Sequence, residues 1–135
     1  MDDDEVFELG DEHRLIIVAA DDEGHLEYQL HRARGCYPRP FEPLILSEHA
    51  WRELRRLMQE IDVALLDRGH AGSFLACDTR VDTWYSKSGQ RFVTFEVMKE
   101  TGAVTKLTLP HDAWTTLVAK KKQIDEKGDR IRKYK

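Results

Sequence analysis

Apolar residues recur at three- and four-residue steps in two parts of the chain and predict two helices. The first helix has Ser47 as its N-cap. It carries one apolar stripe of Ala50, Trp51, Leu54, Leu57, Met58, Ile61 and Leu65. The second starts with Pro110 in its first turn and keeps Ala113, Trp114, Leu117, Val118 and Ile124. Lys120 and Lys121 interrupt this second stripe, so its later turns are expected to be more exposed. We expect each tryptophan to anchor its helix to a sheet.

Upstream of each helix, apolar runs and alternating apolar and polar positions predict antiparallel strands. The predicted strands cover 15–20, 26–31, 74–85, 92–98 and 104–109. The segment 35–43 contains three prolines, which cannot donate to a strand ladder, and is predicted to be an edge or a loop. Antiparallel hairpins of this kind place a helix on one face of the sheet and leave the other face free.

The two halves of the chain are similar to each other. Residues Leu46–Asp62 recur as Leu109–Asp125, with six of the seventeen aligned positions identical. The predicted fold class is therefore α+β, with two strands-then-helix repeats. We expect an acidic tail over 1–12, a first repeat over 13–67, a second over 68–127 and a basic tail over 128–135.

Length and composition narrow the class of protein. A chain of 135 residues is close to the size of one domain, which excludes two large independent domains. No apolar run reaches the roughly 20 residues that a membrane helix needs, and the acidic start lacks the features of a secretory signal. Cys36 and Cys77 are too few and too far apart for a disulfide framework or a zinc ribbon. We expect an intracellular protein with two free thiols, not bound to a membrane.

The net charge of −4 hides an uneven distribution. Residues 1–67 carry a net charge of −10, and residues 68–135 carry +6. The overall sign argues against a generic nucleic-acid-binding protein, whereas the asymmetry indicates different partners for the two halves. The acidic start is interpreted as a disordered, solubilising tail.

The second half carries a resemblance to a known family. The order of Arg80–Tyr85, the turn Lys87–Gly89, Phe92–Lys99 and Lys106–Leu109 before Trp114 resembles the single-stranded-DNA-binding domain of the transcriptional coactivator positive cofactor four. More broadly, the chain is similar to the Whirly-like group over about residues 13–127.

This resemblance implies curved antiparallel sheets whose outer faces take single-stranded or locally melted nucleic acid. It also implies a pseudo-twofold unit with helices at its centre. Both copies of the repeat lie in one chain, as in Whirly and Pur-alpha proteins, so homodimerisation is optional.

Single-stranded nucleic acid requires cations for its phosphates and exposed aromatic rings for base stacking. The candidate residues in the second repeat are Arg80, Trp84, Lys87, Arg91, Lys99 and Lys106. Those in the first repeat are Arg32, Arg34, Tyr37 and Arg39. Trp84 shares a strand face with Arg80 and is either an exposed stacking platform or a core residue. If Trp84 is exposed, Tyr85, which has the opposite parity, is expected in the core. The alternative interpretation of the cations is ordinary solvated surface or, in the first repeat, a solvated loop.

An enzyme is not expected, because the chain has no phosphate-binding glycine loop and no catalytic motif, and its six histidines lack metal-ligand spacing. No cofactor and no metal are expected. The predicted function is binding of single-stranded or melted DNA with little sequence preference, supporting transcription or replication. RNA is an alternative ligand, and the compartment is the nucleus if the source is eukaryotic or viral.

The alternative function is a protein-interaction module of the same fold that docks onto a transcription or replication complex without binding nucleic acid. Acidic residues predicted on the outward strand faces favour it, namely Glu27, Asp82 and Glu96. A continuous positive groove on the sheet would favour DNA binding, and a mixed or negative surface would favour protein docking.

Overall fold

A computed structural model describes residues 5–10, 12–19, 24–32, 43–66, 72–98 and 101–133. The first antiparallel sheet contains β1 (Glu5–Glu8), β2 (His13–Ala19), β3 (Leu26–Arg32) and β4 (Leu44–Ser47). The second contains β5 (Ser73–Ala76), β6 (Thr79–Tyr85), β7 (Arg91–Met98) and β8 (Val104–Pro110). Helix α1 (Glu48–Leu66) follows the first sheet, and α2 (His111–Ala119) and α3 (Lys121–Lys133) follow the second. The predicted α+β class with two strands-then-helix units is confirmed.

Strand register matches the two units residue by residue. In the first unit Tyr28 pairs with Leu46 of the last strand, and in the second Val93 pairs with Leu109. The hairpins before them also correspond, because both Gly24 and Gly89 have a positive φ, of 90° and 85°. A turn residue with such a φ favours glycine, since a Cβ would be strained there. Positions in the two units can therefore be compared directly.

One helix of each unit packs against the sheet of the other, whereas α2 packs against β7 and β8 of its own sheet. Helix α1 packs against β5 and β6 as well as against β4, and the Tyr85 hydroxyl donates to the carbonyl of Leu65 at 2.8 Å. Helix α3 packs against β2, and its buried Gly128 lies so close to Tyr28 that a Cβ would be 2.7 Å from the hydroxyl oxygen. The two units thus share one hydrophobic core.

A reciprocal pair of hydrogen bonds joins the units. The Trp51 indole N–H donates to Asp125 Oδ1 at 2.8 Å, and the Trp114 indole N–H donates to Asp62 Oδ1 at 2.6 Å. Both indoles are buried, with exposures of 3% and 0%. Burial of the tryptophans agrees with the sequence analysis, whereas their acceptors were not predicted. The shared Ile-Asp pair at the end of each repeat was the available signal.

The chain ends differ from the expected tails. Strand β1 lies within the segment expected as an acidic tail, where Phe7 and Leu9 are buried in the core. A four-residue strand flanked by acids is too short to produce a periodic signal. At the other end α3 continues to Lys133, so residues 128–133 are helical instead of a tail, and Ile131 packs against the core.

Two elements are divided where the sequence predicted continuity. The strand expected over 74–85 is a hairpin, β5 and β6, with its turn at Cys77 and Asp78, and Cys77 has a φ of 59°. The second helix breaks at Lys120, whose N–H is shared between the carbonyls of Thr116 and Leu117. The proline-rich segment lies mostly outside the described residues, as does Cys36.

We predict that Asp62→Ala lowers the free energy of unfolding by about 1–3 kcal/mol, because it leaves the buried Trp114 N–H without an acceptor. Asp62→Asn keeps an acceptor oxygen and should cost less. Urea unfolding measures both, with Glu60→Ala on the exposed side of α1 as the control. If Asp62→Ala unfolds at the same urea concentration as the control, the cross-unit bond does not stabilise the fold.

We also predict that stability falls as the pH drops below about 6.5. Burial, followed by the nearby Arg32 charge, lowers the pKa of His13, and burial followed by Arg14 lowers the pKa of His31. Because the unfolded chain then takes up protons before the folded chain does, acid favours unfolding in this range. The variant carrying His13→Gln and His31→Gln should show a flatter dependence of its urea midpoint between about pH 7.5 and 5. An unchanged slope would contradict the assignment.

Candidate nucleic-acid interface

Two aromatic rings stack on the outward face of the second sheet. Alternation buries Val81, Thr83 and Val93 beneath the helices and turns Trp84 and Phe92 outward. The latter two oppose each other in register, with ring centroids 4.5 Å apart and planes 20° from parallel. Trp84 is 38% exposed. Of the two interpretations offered by the sequence, the structure has Trp84 as an exposed ring on the sheet.

A chain of hydroxyl groups fixes the orientation of the Trp84 ring. Its indole N–H donates to Thr94 Oγ1 at 2.8 Å, and Thr94 Oγ1 lies 2.9 Å from Thr108 Oγ1. Two residues of β7 therefore hold the indole: Phe92 stacks on it, and Thr94 accepts its hydrogen bond. Tyr85, of opposite parity, is half-buried and turns toward α1, as predicted.

Two of the predicted phosphate-binding cations form ion pairs on the same surface. Arg80 Nε lies 3.2 Å from Asp82 Oδ2, and Lys106 Nζ lies 3.6 Å from Glu96 Oε2. All four side chains are on the outward face by register. The described part of this surface is therefore mixed in charge, and it does not form a continuous positive groove.

Two further cations flank the aromatic pair. Lys87 is exposed in the turn between β6 and β7 and has no ion-pair partner in the described part of the chain. Arg91 is half-buried at the start of β7, where it lines a groove of about 390 Å³. Phe92, Pro110 and Asp112 line the same groove, so one ring of the aromatic pair borders a concave surface.

Of the four residues predicted in the first unit, Arg32 alone lies within the described residues. Arg32 is exposed at the end of β3, and its charge acts on the buried His13. The other three lie outside the described residues, as does one candidate of the second unit; they are Arg34, Tyr37, Arg39 and Lys99.

The outward face of the first sheet is also polar. Gln29 links Glu27 and His31 through hydrogen bonds of 3.2 and 2.9 Å. Arg14 lies 3.8 Å from Glu8 and occupies the register position that Arg80 has in the second unit. The sequence analysis missed Arg14, although aligning the strands of the two repeats would have found it.

The aromatic pair is specific to the second unit. The register positions of Trp84 and Phe92 are filled in the first unit by Val18 and Glu27, which oppose each other in the same way. The first unit therefore adopts the same fold without aromatic rings at these two positions. Packing within the sheet does not by itself explain the Trp84 and Phe92 side chains.

No protein-family model and no curated protein matches the chain. Among solved structures, the crystal structures of Trypanosoma brucei MRP1/MRP2 match over 97% of this chain and 83% of that one. The TM-score is 0.41 and the sequence identity is 13%.

Neither a membrane helix nor a metal cluster occurs in the described ranges. No helix there is both long and apolar enough to cross a bilayer. Among the same residues, no three histidine, cysteine or acidic side chains are grouped as metal ligands would be.

Proposed function

We propose that this protein binds single-stranded or locally melted DNA on the outward face of its second sheet. The observation that carries the proposal is the exposed Trp84–Phe92 stack at positions that the repeat otherwise fills with Val18 and Glu27. An aromatic ring that accepts a base contributes about 1–3 kcal/mol per base. Because every base has an aromatic face, this mode of binding gives little sequence preference. Support of transcription or replication is the role that such binding suits.

Phosphate contacts would come from Lys87 and from exchange of the two surface ion pairs. Exposed ion pairs contribute only about 0–1 kcal/mol, so a phosphate can replace Asp82 as the partner of Arg80 at little cost. A phosphate can likewise replace Glu96 as the partner of Lys106. Electrostatic attraction is expected to be modest, because the two acids remain close to the path of the strand.

A second candidate is docking of a partner protein on the same face, without nucleic acid. The mixed charge favours it, as do three apolar side chains toward the other end of the sheet: Leu75, Met98 and Val104, exposed by 69%, 67% and 44%. Exposed apolar surface of this kind is typical of protein interfaces. The two candidates differ in whether Trp84 or Leu75 matters for binding.

We predict that Trp84→Val weakens binding to a single-stranded DNA oligonucleotide by about 1–3 kcal/mol, or roughly 5- to 150-fold. Fluorescence anisotropy across a salt series measures this, with double-stranded DNA and a matched RNA oligonucleotide as further ligands. Valine is the residue of the first unit at this position, so the variant should fold. Leu75→Ala, which removes an exposed apolar side chain from the same sheet, is the matched control.

Absence of single-strand binding by the unaltered protein at low salt would contradict the proposal and favour protein docking. Equal weakening by Trp84→Val and Leu75→Ala would contradict the stacking site. Tighter binding of the RNA oligonucleotide than of DNA would reassign the ligand.

We further predict that Glu96→Gln strengthens single-strand binding and makes it more salt-dependent. The substitution releases Lys106, and one additional phosphate contact adds about 0.7 to the slope of log K against log salt. Glu60→Gln on α1 removes the same charge from an exposed position away from the sheet and should leave both quantities unchanged. If the two variants behave alike, Lys106 does not contact the strand.

A further inference from the structure

A second charged surface lies on the helical side of the first sheet, between α1 and α3. A groove of about 450 Å³ is lined there by four arginines together with the carboxylates of Glu48, Asp125 and Asp129. The arginines are Arg52, Arg55, Arg56 and Arg132. The groove is separate from the outward face on which the aromatic pair lies.

Two of these acids and two of these arginines make hydrogen bonds and ion pairs that hold the fold together. Asp125 accepts hydrogen bonds from the Trp51 indole and from Arg55, both at 2.8 Å. Glu48 accepts the backbone N–H of Leu26 at 2.7 Å and also pairs with Arg132. These acids hold α1, α3 and the first sheet together, and they hold two of the arginines in fixed positions.

The other two arginines have no such commitment. Among the described residues, the one ion-pair contact of Arg56 is with Glu53, at 3.7 Å between Nη1 and Oε1, and the Arg56 side chain is 73% exposed. Arg52 is exposed and has no hydrogen bond or ion pair with any residue of the described ranges. Residues four apart lie on the same side of a helix, about 5–6 Å apart at Cβ, so the two guanidinium groups can reach a common ligand.

The repeat shows that the fold does not need arginine at these positions. Alignment of the two helices places Thr115 where the first unit has Arg52, and Ala119 where it has Arg56. Val118 stands in place of Arg55. The same helix position therefore packs without any cation in the second unit, and the three arginines are a feature of the first unit alone.

We propose that Arg52 and Arg56, with Arg55 held between them by Asp125, bind a phosphate group. One arginine fork saturates the two oxygens of a carboxylate, whereas a phosphate has three or four oxygens and accepts two forks at once. Two exposed arginines one turn apart therefore fit a phosphate better than they fit an acidic side chain. The phosphate belongs either to a small diphosphate-bearing molecule or to a nucleic-acid backbone. The second source rests on the proposed function.

Pyrophosphate tests the groove independently of nucleic acid. Isothermal titration of the full chain should show binding that weakens by at least about tenfold in the variant carrying Arg52→Gln and Arg56→Gln. The matched control carries Lys122→Gln and Arg130→Gln, which removes two exposed cations of α3 outside the groove and should leave binding unchanged. Circular dichroism checks that both variants remain folded.

Anisotropy with a single-stranded oligonucleotide tests the backbone as the source. Loss of two phosphate contacts should lower the slope of log K against log salt by about 1.4 in the Arg52→Gln, Arg56→Gln variant. Trp84→Val should lower affinity without this change in slope, which separates the two sites. If no oligonucleotide binds at all, the proposed function is wrong, and the pyrophosphate titration still tests whether the groove binds phosphate. The groove proposal is wrong if the Arg52→Gln, Arg56→Gln variant and the Lys122→Gln, Arg130→Gln control bind pyrophosphate and the oligonucleotide alike.

Discussion

The architecture depends on two buried indole N–H groups that find their acceptors in the other half of the chain. Trp114 is fully buried and Trp51 nearly so, and a buried donor without an acceptor costs about 1–3 kcal/mol. Each repeat supplies the aspartate that the other requires, so neither half satisfies its own tryptophan. The two units must therefore pack together, with α1 against the second sheet and α3 against the first. This arrangement fills the inner faces of both sheets and leaves the outer faces available for ligands.

A symmetric scaffold also allows its halves to diverge. The two Trp–Asp hydrogen bonds hold the units against each other. Equivalent positions outside the shared core carry different side chains in the two units. The second sheet has a stacked Trp84–Phe92 pair where the first has Val18 and Glu27. The first helix has arginines where the second has small or apolar residues. Comparison of equivalent positions within one chain thus separates residues that the fold requires from residues that it merely tolerates.

Much of this fold follows from periodicity. Helix α1, the β2–β3 and β6–β7 hairpins and the repeat were predicted because apolar spacing and turn residues extend over many positions. Strand β1 was missed because four residues next to a run of acids carry too little pattern, and the Lys120 break was missed because it follows from local backbone geometry. The core position of Trp114 was predicted, while its acceptor Asp62 depends on a contact distant in sequence. Such pairings are invisible until the units are placed in space.

The candidate site was predicted in part, for similar reasons. Strand parity placed Trp84 and Arg80 on one face, which the structure confirms. Parity also placed Asp82 on this face, two residues from Arg80 on the same strand, but it says nothing about partners across the ladder, so the Lys106–Glu96 ion pair became visible only with the register. The exposed Arg52 and Arg56 belong to a helix that the sequence analysis interpreted only through its apolar stripe. A role for charged residues on the polar side of a helix can be inferred only when the position of the neighbouring helix is known.

Photo-crosslinking with a single-stranded oligonucleotide that contains 5-iodouracil would locate the bound bases most directly. Mass spectrometry of the crosslinked peptides is expected to identify Trp84 or Phe92, because a base stacked on that pair places its reactive carbon against an aromatic ring. Crosslinks confined to the first sheet would contradict base stacking on the second sheet. A complete absence of crosslinks, under conditions in which the oligonucleotide is bound, would also contradict base stacking on the second sheet.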